Sequence, residues 1–197
     1  MRIAVLEDDP TQKLLLTSWL REAGHDVHDF AVTRELQRFV TRESTDLFLL
    51  DWMVPDISGK EFLRWLRQER HDETPAIFVT ALDSEDDVVG GLAEGADDFI
   101  VKPVSRRVLM SRIDAVLRRS KPRDASDQIV APPYLIDPKR KIVKLNDEKI
   151  ELTEKEFDLA VFLFRNVGRL VSRGHMLESV WGRNPDLATR TVDTHIS

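Results

Sequence analysis

The chain has 197 residues, of which 42% are hydrophobic and 32% are charged, and it contains no cysteine. These proportions are typical of a globular protein with its own core, and they exclude disulfide bonds and thiolate chemistry. Residues 1–120 hold 16 lysines and arginines against 23 aspartates and glutamates, whereas residues 121–197 hold 13 against 12. The acidic first part is therefore not expected to bind nucleic acid through its overall charge.

The sequence offers no segment suited to a lipid bilayer. No apolar run approaches the roughly 20 residues of a membrane-spanning helix. The opening residues MRIAVLEDD have only a short apolar run before three acids, which does not match a secretory signal. We therefore expect a cytoplasmic protein with no membrane partner.

Residues 1–120 alternate between short apolar segments and segments of helical periodicity. Strands are predicted at 3–6, 26–30, 47–50, 76–80 and 99–101, and helices at 11–23, 33–42, 59–69, 85–94 and 105–118. This alternation predicts an α/β fold with a parallel five-stranded sheet covered on both faces. A flavodoxin-like, doubly wound strand order of 2-1-3-4-5 would place strands 1 and 3 side by side.

The composition changes at RRSKPRDASDQIVAPP, residues 118–133, which is polar, charged and contains three prolines. Such a segment predicts a linker, which we place at 121–133 between a first domain at 1–120 and a second at 134–197. The second domain begins with short strand-like segments. TEKE at 153–156 then has the pattern of a capping box and predicts the start of a helix.

Two further helices are predicted in the second domain, and together they suggest a helix-turn-helix arrangement. One runs from Ser172 to Trp181, with His175 expected on its surface, and the other begins near Thr189. In the last helix Val192 and Ile196 would pack inward. The other faces, which could contact DNA or simply be solvated, would carry Arg190, Thr191, Thr194 and His195.

Acidic side chains follow two of the predicted strands. Glu7 and Asp8 come directly after strand 1, and strand 3 ends at Asp51. Because the carboxyl ends of parallel strands meet at one edge of a sheet, these acids would share a cleft. Crowded carboxylates repel one another unless a cation holds them, and hard oxygen ligands suit Mg²⁺. An ionised Asp51 could then act as the nucleophile in a phosphoryl transfer.

Two other strand ends carry groups that complement a phosphoryl group. Thr80 ends strand 4, and Lys102 with Pro103 follows strand 5. A hydroxyl and an ammonium group would position and neutralise the oxygens of a phosphoryl group. Each residue alone is ordinary at a strand end, but their coincidence with the acids favours a functional site.

The motifs LEDDP, LLDWMVPDISG, VTALDS and GADDFIVKPV resemble the receiver domain of two-component response regulators. The resemblance covers residues 1 to about 120. It implies that a sensor histidine kinase phosphorylates Asp51. It also implies that Asp8, Asp51 and the backbone carbonyl of Met53 ligate Mg²⁺, with Glu7 completing the acidic pair.

The same resemblance makes Thr80 and Phe99 the switch residues, which would rearrange toward the phosphoryl group, and Lys102 the lysine that pairs with it. Phe99 stands where the family most often has tyrosine, so its ring can move but offers no hydroxyl. Val104 stands where the family usually has phenylalanine.

A dimer face is also implied by the resemblance. Asp97, Asp98 and Arg112 match residues of an inter-subunit set of salt bridges, but an acid of that set is replaced by Val108. Homodimerisation on phosphorylation is therefore expected through the last strand and helix of the receiver.

The second domain resembles the winged-helix effector domain of OmpR/PhoB-type regulators over residues 134–197. The resemblance rests on ELTEKEFDLAVFLFRNVGRLVSRGHMLESVWG and TRTVDTHIS. It implies promoter DNA contacts from the recognition helix and an approach of Trp181 to the DNA backbone. The recognition-helix positions are Arg190, Thr191, His195 and Ser197. The family continues beyond this point, so we expect a recognition helix cut short, a missing wing and impaired DNA binding.

These features predict a phosphorylation-switched transcription factor, an α/β receiver followed by an incomplete α+β winged helix. One alternative is a phosphatase with an aspartate nucleophile. Such enzymes usually carry a second acid two residues after the nucleophile, where this chain has Met53. Turnover of external substrates is therefore not expected. The other alternative is an interaction module that takes no phosphoryl group.

Overall fold

The computed structural model describes residues 1–81, 85–120, 128–168, 171–182 and 190–196, without the side chains of 85–88, 120 and 190. The chain divides into two compact units, Met1–Ser120 and Lys121–Ser197. None of the helices among these residues is long and apolar enough to cross a membrane.

In the described part of the first unit, five strands alternate strictly with five helices. The strands are β1 (Arg2–Leu6), β2 (Asp26–Phe30), β3 (Leu47–Leu50), β4 (Ala76–Thr80) and β5 (Asp98–Val101). The helices are α1 (Pro10–Glu22), α2 (Thr33–Val40), α3 (Gly59–Gln68), α4 (Glu85–Ala93) and α5 (Arg106–Ser120). All five strands are parallel and their order is β2-β1-β3-β4-β5, so the predicted α/β fold and strand order are confirmed.

Each face of this sheet is covered by its own core, because successive side chains of a strand point to opposite faces. Ile3 and Val5 of β1 belong to a cluster that includes residues of α1 and α5. Ala4 and Leu6 belong to a second cluster that includes residues of α2 and α3. Burial on both faces explains why the central strands read as continuous apolar runs.

The start of α2 is capped from a distant part of the chain. Its N-cap position, Val32, has no side chain able to accept a hydrogen bond from the helix. The carboxylate of Asp56, in the loop between β3 and α3, accepts hydrogen bonds from the amides of Thr33 at 2.9 Å and Arg34 at 3.0 Å. Burial would raise the pKa of Asp56, but the backbone amides outweigh it and hold this pKa below its usual value.

The second unit contains a four-stranded antiparallel sheet followed by helices. The strands, in the order β6-β7-β8-β9, are β6 (Ile129–Ala131), β7 (Tyr134–Asp137), β8 (Ile142–Leu145) and β9 (Glu148–Ile150). The helices are α6 (Glu154–Arg165), α7 (Arg173–Trp181) and α8 (Arg190–Ile196). The capping box predicted for α6 is present: the Thr153 hydroxyl accepts a hydrogen bond from the amide of Glu156, and the Glu156 carboxylate accepts one from the amide of Thr153.

The structure differs from the predicted linker at 121–133. Residues 129–131 form β6, which pairs with β7 across a turn at Pro132 and Pro133. The prolines suggested a linker, but here they form the tight turn of a hairpin, so the second sheet begins before residue 134.

Two packing predictions for the second unit are wrong. Ile196 is 53% exposed, whereas Val192 is fully buried in the cluster that α8 shares with α6 and α7. His175 was expected on a helix surface, yet it is only 5% exposed and its ring meets the ring of Phe162 edge-on at 5.4 Å. The burial of His175 follows from its place between Met176 and the N-cap Ser172, on the side of α7 that faces α6.

Candidate functional site

Three strand ends bring charged side chains together at the carboxyl edge of the first sheet. The ammonium group of Lys102, after β5, lies 2.6 Å from Oδ2 of Asp51, after β3. It also lies 2.8 Å from Oε2 of Glu7, after β1. One cation thus contacts two carboxylates that are both buried, since Glu7 is 1% and Asp51 6% exposed.

Asp8 completes a cluster of three carboxylates. Oxygen atoms of Glu7, Asp8 and Asp51 all lie within 4.8 Å of one another, which is the spacing needed to surround one metal ion. Oε2 of Glu7 is buried, and the Lys102 ammonium group lies 2.8 Å from it. The single positive charge of Lys102 does not balance three neighbouring carboxylates, and a divalent cation bound by their oxygen atoms would balance the rest. The donors present therefore fit Mg²⁺.

The pKa values of this cluster reflect burial and mutual charge. Burial raises the pKa of Glu7 above its usual value, although Lys102 acts in the opposite direction. Burial would lower the pKa of Lys102, but its hydrogen bonds to Asp51 and Glu7 outweigh this effect and raise that pKa. Lys102 is therefore held in its charged form.

The loop after Asp51 is fixed by backbone contacts. The amide of Met53 donates a hydrogen bond of 3.1 Å to Oδ1 of Asp51, and the Met53 side chain is 64% exposed. The amide of Gly59, at the start of α3, donates to the carbonyl of Trp52 at 3.0 Å. A β-carbon at Gly59 would overlap the carbonyl oxygen of Asp51, so this close approach requires glycine.

The two predicted switch residues lie on β4 and β5. Thr80 is 1% exposed at the end of β4, where its carbonyl accepts a hydrogen bond from the amide of Lys102 at 2.8 Å. Phe99 is half-buried on β5, with its ring 6.1 Å from that of Phe78.

The predicted dimer-face residues are brought only partly together. Asp98 and Arg112 form an ion pair of 3.2 Å within the chain. Asp97 instead accepts a hydrogen bond of 2.9 Å from the amide of Ala76 and lies 3.7 Å from Arg67. Apolar side chains that are 40–60% exposed occur on α4, β5 and α5: Val89, Leu92, Val101 and Val108.

The predicted DNA-contacting residues lie on α7 and α8. Trp181 is half-buried and its ring meets the ring of His195 at 5.1 Å. The Nδ1 atom of His195 lies 2.7 Å from the carbonyl of Thr191, while Thr194 is exposed. Arg190 is the first residue of α8, and Ser197 and Thr189 lie outside the described residues.

Comparison with protein families shows two matches along the chain. Residues 3–114 match the response regulator receiver domain, and residues 147–197 match the C-terminal domain of transcriptional regulatory proteins. The phosphate regulon transcriptional regulatory protein PhoB of Rhizobium meliloti is 38% identical over 196 residues, which are 99% of this chain and 86% of that protein. The chain belongs to the OmpR/PhoB-type response regulators.

Other relatives of this response regulator agree in both sequence and structure. The sensory transduction protein RegX3 of Mycolicibacterium smegmatis is 38% identical over 198 residues, covering 98% of this chain and 86% of that protein. The solved structure of DrrB, an OmpR/PhoB homolog from Thermotoga maritima, is 31% identical with a TM-score of 0.55. It covers 99% of this chain and 85% of DrrB.

The response regulator therefore combines a receiver domain with a DNA-binding domain, as transcriptional regulators of two-component systems do.

Two residues near its acidic cluster were missed by the sequence analysis. Trp52 and Asp56 both lie in the loop after β3, and both contact helices other than the one that follows them. A signal for Trp52 was available, because a large aromatic residue next to a buried acid needs a place to pack.

Proposed function

We propose that Asp51 is the phosphoacceptor of this response regulator and that its phosphorylation controls transcription. One observation carries the proposal: the Lys102 ammonium group contacts both buried carboxylates, Asp51 and Glu7, at the edge where Asp8 also lies. A buried carboxylate beside a fixed cation and an acidic cluster is arranged to receive a phosphoryl group from a donor. The donor would be a cognate sensor histidine kinase.

Mg²⁺ would be held by Asp8, Asp51 and the backbone carbonyl of Met53, with Glu7 as the neighbouring acid of the pair. When bound, the ion would neutralise the charge that gathers on the phosphoryl oxygens. The chain's own residues supply the rest. Asp51 offers a carboxylate oxygen as nucleophile, and Lys102 stays charged beside it because its pKa is raised.

We infer that this site accepts a phosphoryl group without turning over external substrates. General acid catalysis needs a proton donor within hydrogen-bond reach of the leaving group. The residue two positions after Asp51 is Met53, whose thioether carries no proton. Hydrolysis of the protein's own phosphoryl group by water is compatible with this pocket.

The test of the phosphoacceptor is intact mass after incubation with acetyl phosphate, with and without Mg²⁺. We expect one phosphate adduct that depends on Mg²⁺ and is absent in Asp51→Asn. Asp114→Asn, on the exposed side of α5, is the matched control and should take up the adduct like the wild type. An adduct that persists in Asp51→Asn would contradict the assignment.

We further propose that phosphorylation repositions Thr80 and Phe99 and promotes a homodimer through the surface around Asp97, Asp98 and Arg112. The exposed apolar residues of α4, β5 and α5 support this surface, because such a patch on a monomer marks an interaction site. Sedimentation equilibrium before and after phosphorylation measures the association. A chain that stays monomeric in both states would remove this part of the proposal.

The second unit, Lys121–Ser197, would bind promoter DNA through α8. We propose contacts from Arg190, Thr191, Thr194, His195 and Ser197, with Trp181 near the DNA backbone. Arg190→Ala should reduce the slope of log affinity against log salt for duplex DNA by about 1, the effect of losing one phosphate contact. An unchanged slope would argue against this role. We propose a cytoplasmic location, where such a regulator would reach promoter DNA.

A further inference from the structure

Trp52 follows the proposed phosphoacceptor directly, and its side chain packs away from the acidic cluster. Its ring centre lies 5.0 Å from that of Phe78 and 6.3 Å from that of Phe99. The ammonium group of Lys60, on α3, lies 5.1 Å from the centre of the indole ring. The indole therefore belongs to the same packed group of rings as the predicted switch residue Phe99.

The backbone around Trp52 has little freedom. The amide of Asp51 donates a hydrogen bond of 2.8 Å to the carbonyl of Leu6, and the carbonyl of Trp52 accepts one of 3.0 Å from Gly59. On the other side of Trp52, the amide of Met53 donates to the Asp51 carboxylate. The carboxylate belongs to Asp51 and is hydrogen-bonded to Met53, the two sequence neighbours of Trp52. A change at the carboxylate consequently acts on both of them.

The indole is packed against α4 at a glycine. A β-carbon at Gly91 would lie 2.9 Å from Cζ3 of Trp52, 3.2 Å from Phe78 and 3.4 Å from Phe99. These distances are shorter than ordinary van der Waals contacts, so any larger residue at 91 would push α4 away from the rings. Glycine inside a helix is unfavourable relative to alanine, so its presence at 91 calls for a packing reason.

The neighbouring glycine provides a contrast. A β-carbon at Gly90 would lie 3.6 Å from Nζ of Lys60 and 3.8 Å from Cη2 of Trp52, which are ordinary contacts. The two glycines share one helix, yet only Gly91 is crowded by Trp52.

We propose that the contact between Trp52 and Gly91 couples the phosphorylation state of Asp51 to the position of α4. This inference rests on the proposed function and adds a positioning residue to it. Close-packed side chains transmit displacement because they cannot be compressed. Val89 and Leu92 flank Gly91 on α4 and are 60% and 45% exposed, so a shift of α4 would move the proposed dimer surface with it.

The experiment uses the full chain and four variants: Gly91→Ala, Gly90→Ala, Trp52→Phe and the double variant Trp52→Phe/Gly91→Ala. Urea unfolding first tests the contact. Gly90→Ala should raise the urea midpoint, since alanine favours the helix, whereas Gly91→Ala should not. Trp52→Phe removes the Cζ3 edge of the indole. In that background Gly91→Ala should therefore raise the urea midpoint, as Gly90→Ala does in the otherwise unchanged protein.

Hydrogen exchange then tests the coupling. Peptides covering residues 85–93 are followed in each protein before and after phosphorylation, with the phosphate adduct checked by mass. We expect exchange rates in α4 to change at least about twofold in the wild type and in Gly90→Ala. Trp52→Phe and Gly91→Ala should take the adduct but lose most of this change.

The outcomes separate this inference from the proposed function. A wild type that takes no phosphate adduct would overturn the proposed function and the coupling with it. A normal adduct with no change of exchange in α4 would overturn the coupling alone. The same holds if Gly91→Ala and Trp52→Phe respond like the wild type. Additive effects of the two substitutions on the urea midpoint would show that the contact is not the cause.

Discussion

Among single residues, Lys102 should have the largest effect on the acidic cluster. Its side chain is 10% exposed and its ammonium group contacts both Glu7 and Asp51, so Lys102→Met would leave two buried carboxylates facing each other. Removing one partner from buried charges typically costs about 3 kcal/mol. We expect a loss of that size in the free energy of unfolding at pH 7 without Mg²⁺, measured with urea.

The same variant should respond to pH in a defined direction. Burial already raises the pKa of Glu7, and without Lys102 that pKa would rise further. The folded state then binds more protons than the unfolded state, so the stability of Lys102→Met should fall as the pH rises through the native pKa of Glu7. Lys141→Met, which removes an exposed pair with Glu154, is the control and should change little. Equal losses in the two variants would contradict the central role of Lys102.

Among the elements, α2 depends on a cap that is supplied from the loop after β3. Asp56→Ala removes the acceptor for the amides of Thr33 and Arg34, and losing an N-cap costs about 1 kcal/mol. The native pKa of Asp56 is lowered, so this contribution is present above the unfolded pKa and is lost as the pH falls through the native pKa. We therefore expect wild type and variant to differ in urea unfolding at pH 7 and to converge in acid. A difference that persists at pH 2 would rule out the cap as its origin.

Helix α1 begins beside the acidic loop and exposes two leucines, Leu14 at 69% and Leu15 at 45%. We expect these apolar side chains to contact the kinase, whereas a small donor needs no docking surface. Leu14→Asp should therefore slow phosphotransfer from the cognate kinase about tenfold and leave phosphorylation by acetyl phosphate unchanged. Phosphate adducts are counted by mass over time in both reactions. Equal slowing with both donors would point to a damaged pocket instead.

At the scale of the whole molecule, each unit has hydrophobic clusters of its own. A ligand that binds only one folded unit stabilises that unit, by about 2.7 kcal/mol at 100 times its dissociation constant. Calorimetry should therefore show two transitions, and saturating Mg²⁺ should raise only one of them, by roughly 10 °C. The shift should vanish in Asp51→Asn. A rise in both transitions would mean that the ion does not act through the acidic cluster.

The sequence predicted the first unit well because its elements are strongly patterned. Buried strands such as Leu47–Leu50 read as apolar runs, and the polar residues after each strand marked the edge at which a site would form. Parallel strands connected by helices obey strict rules of handedness, so only a few strand orders are possible for such a sheet. The meeting of Glu7, Asp51 and Lys102 could be foreseen in this way.

Other features depend on tertiary contacts that no local pattern contains. β6 is only three residues long and is followed by two prolines, so its pairing with β7 decides that it is a strand. Ile196 has the right spacing to pack beside Val192, but the described core does not extend to it. Asp56 caps a helix more than 20 residues earlier in the chain, which only the folded loop reveals.

The position of Lys102 has a consequence for how the pocket exists before any metal arrives. Its ammonium group is a counter-ion that is covalently tethered to the sheet and cannot diffuse away. Without a metal ion, Lys102 therefore balances part of the negative charge of the acids, and an incoming Mg²⁺ must compete with this resident charge. The affinity for Mg²⁺ then depends on how much more strongly the acids interact with the ion than with the Lys102 ammonium group. A substitution at Lys102 would change this affinity without altering a metal ligand.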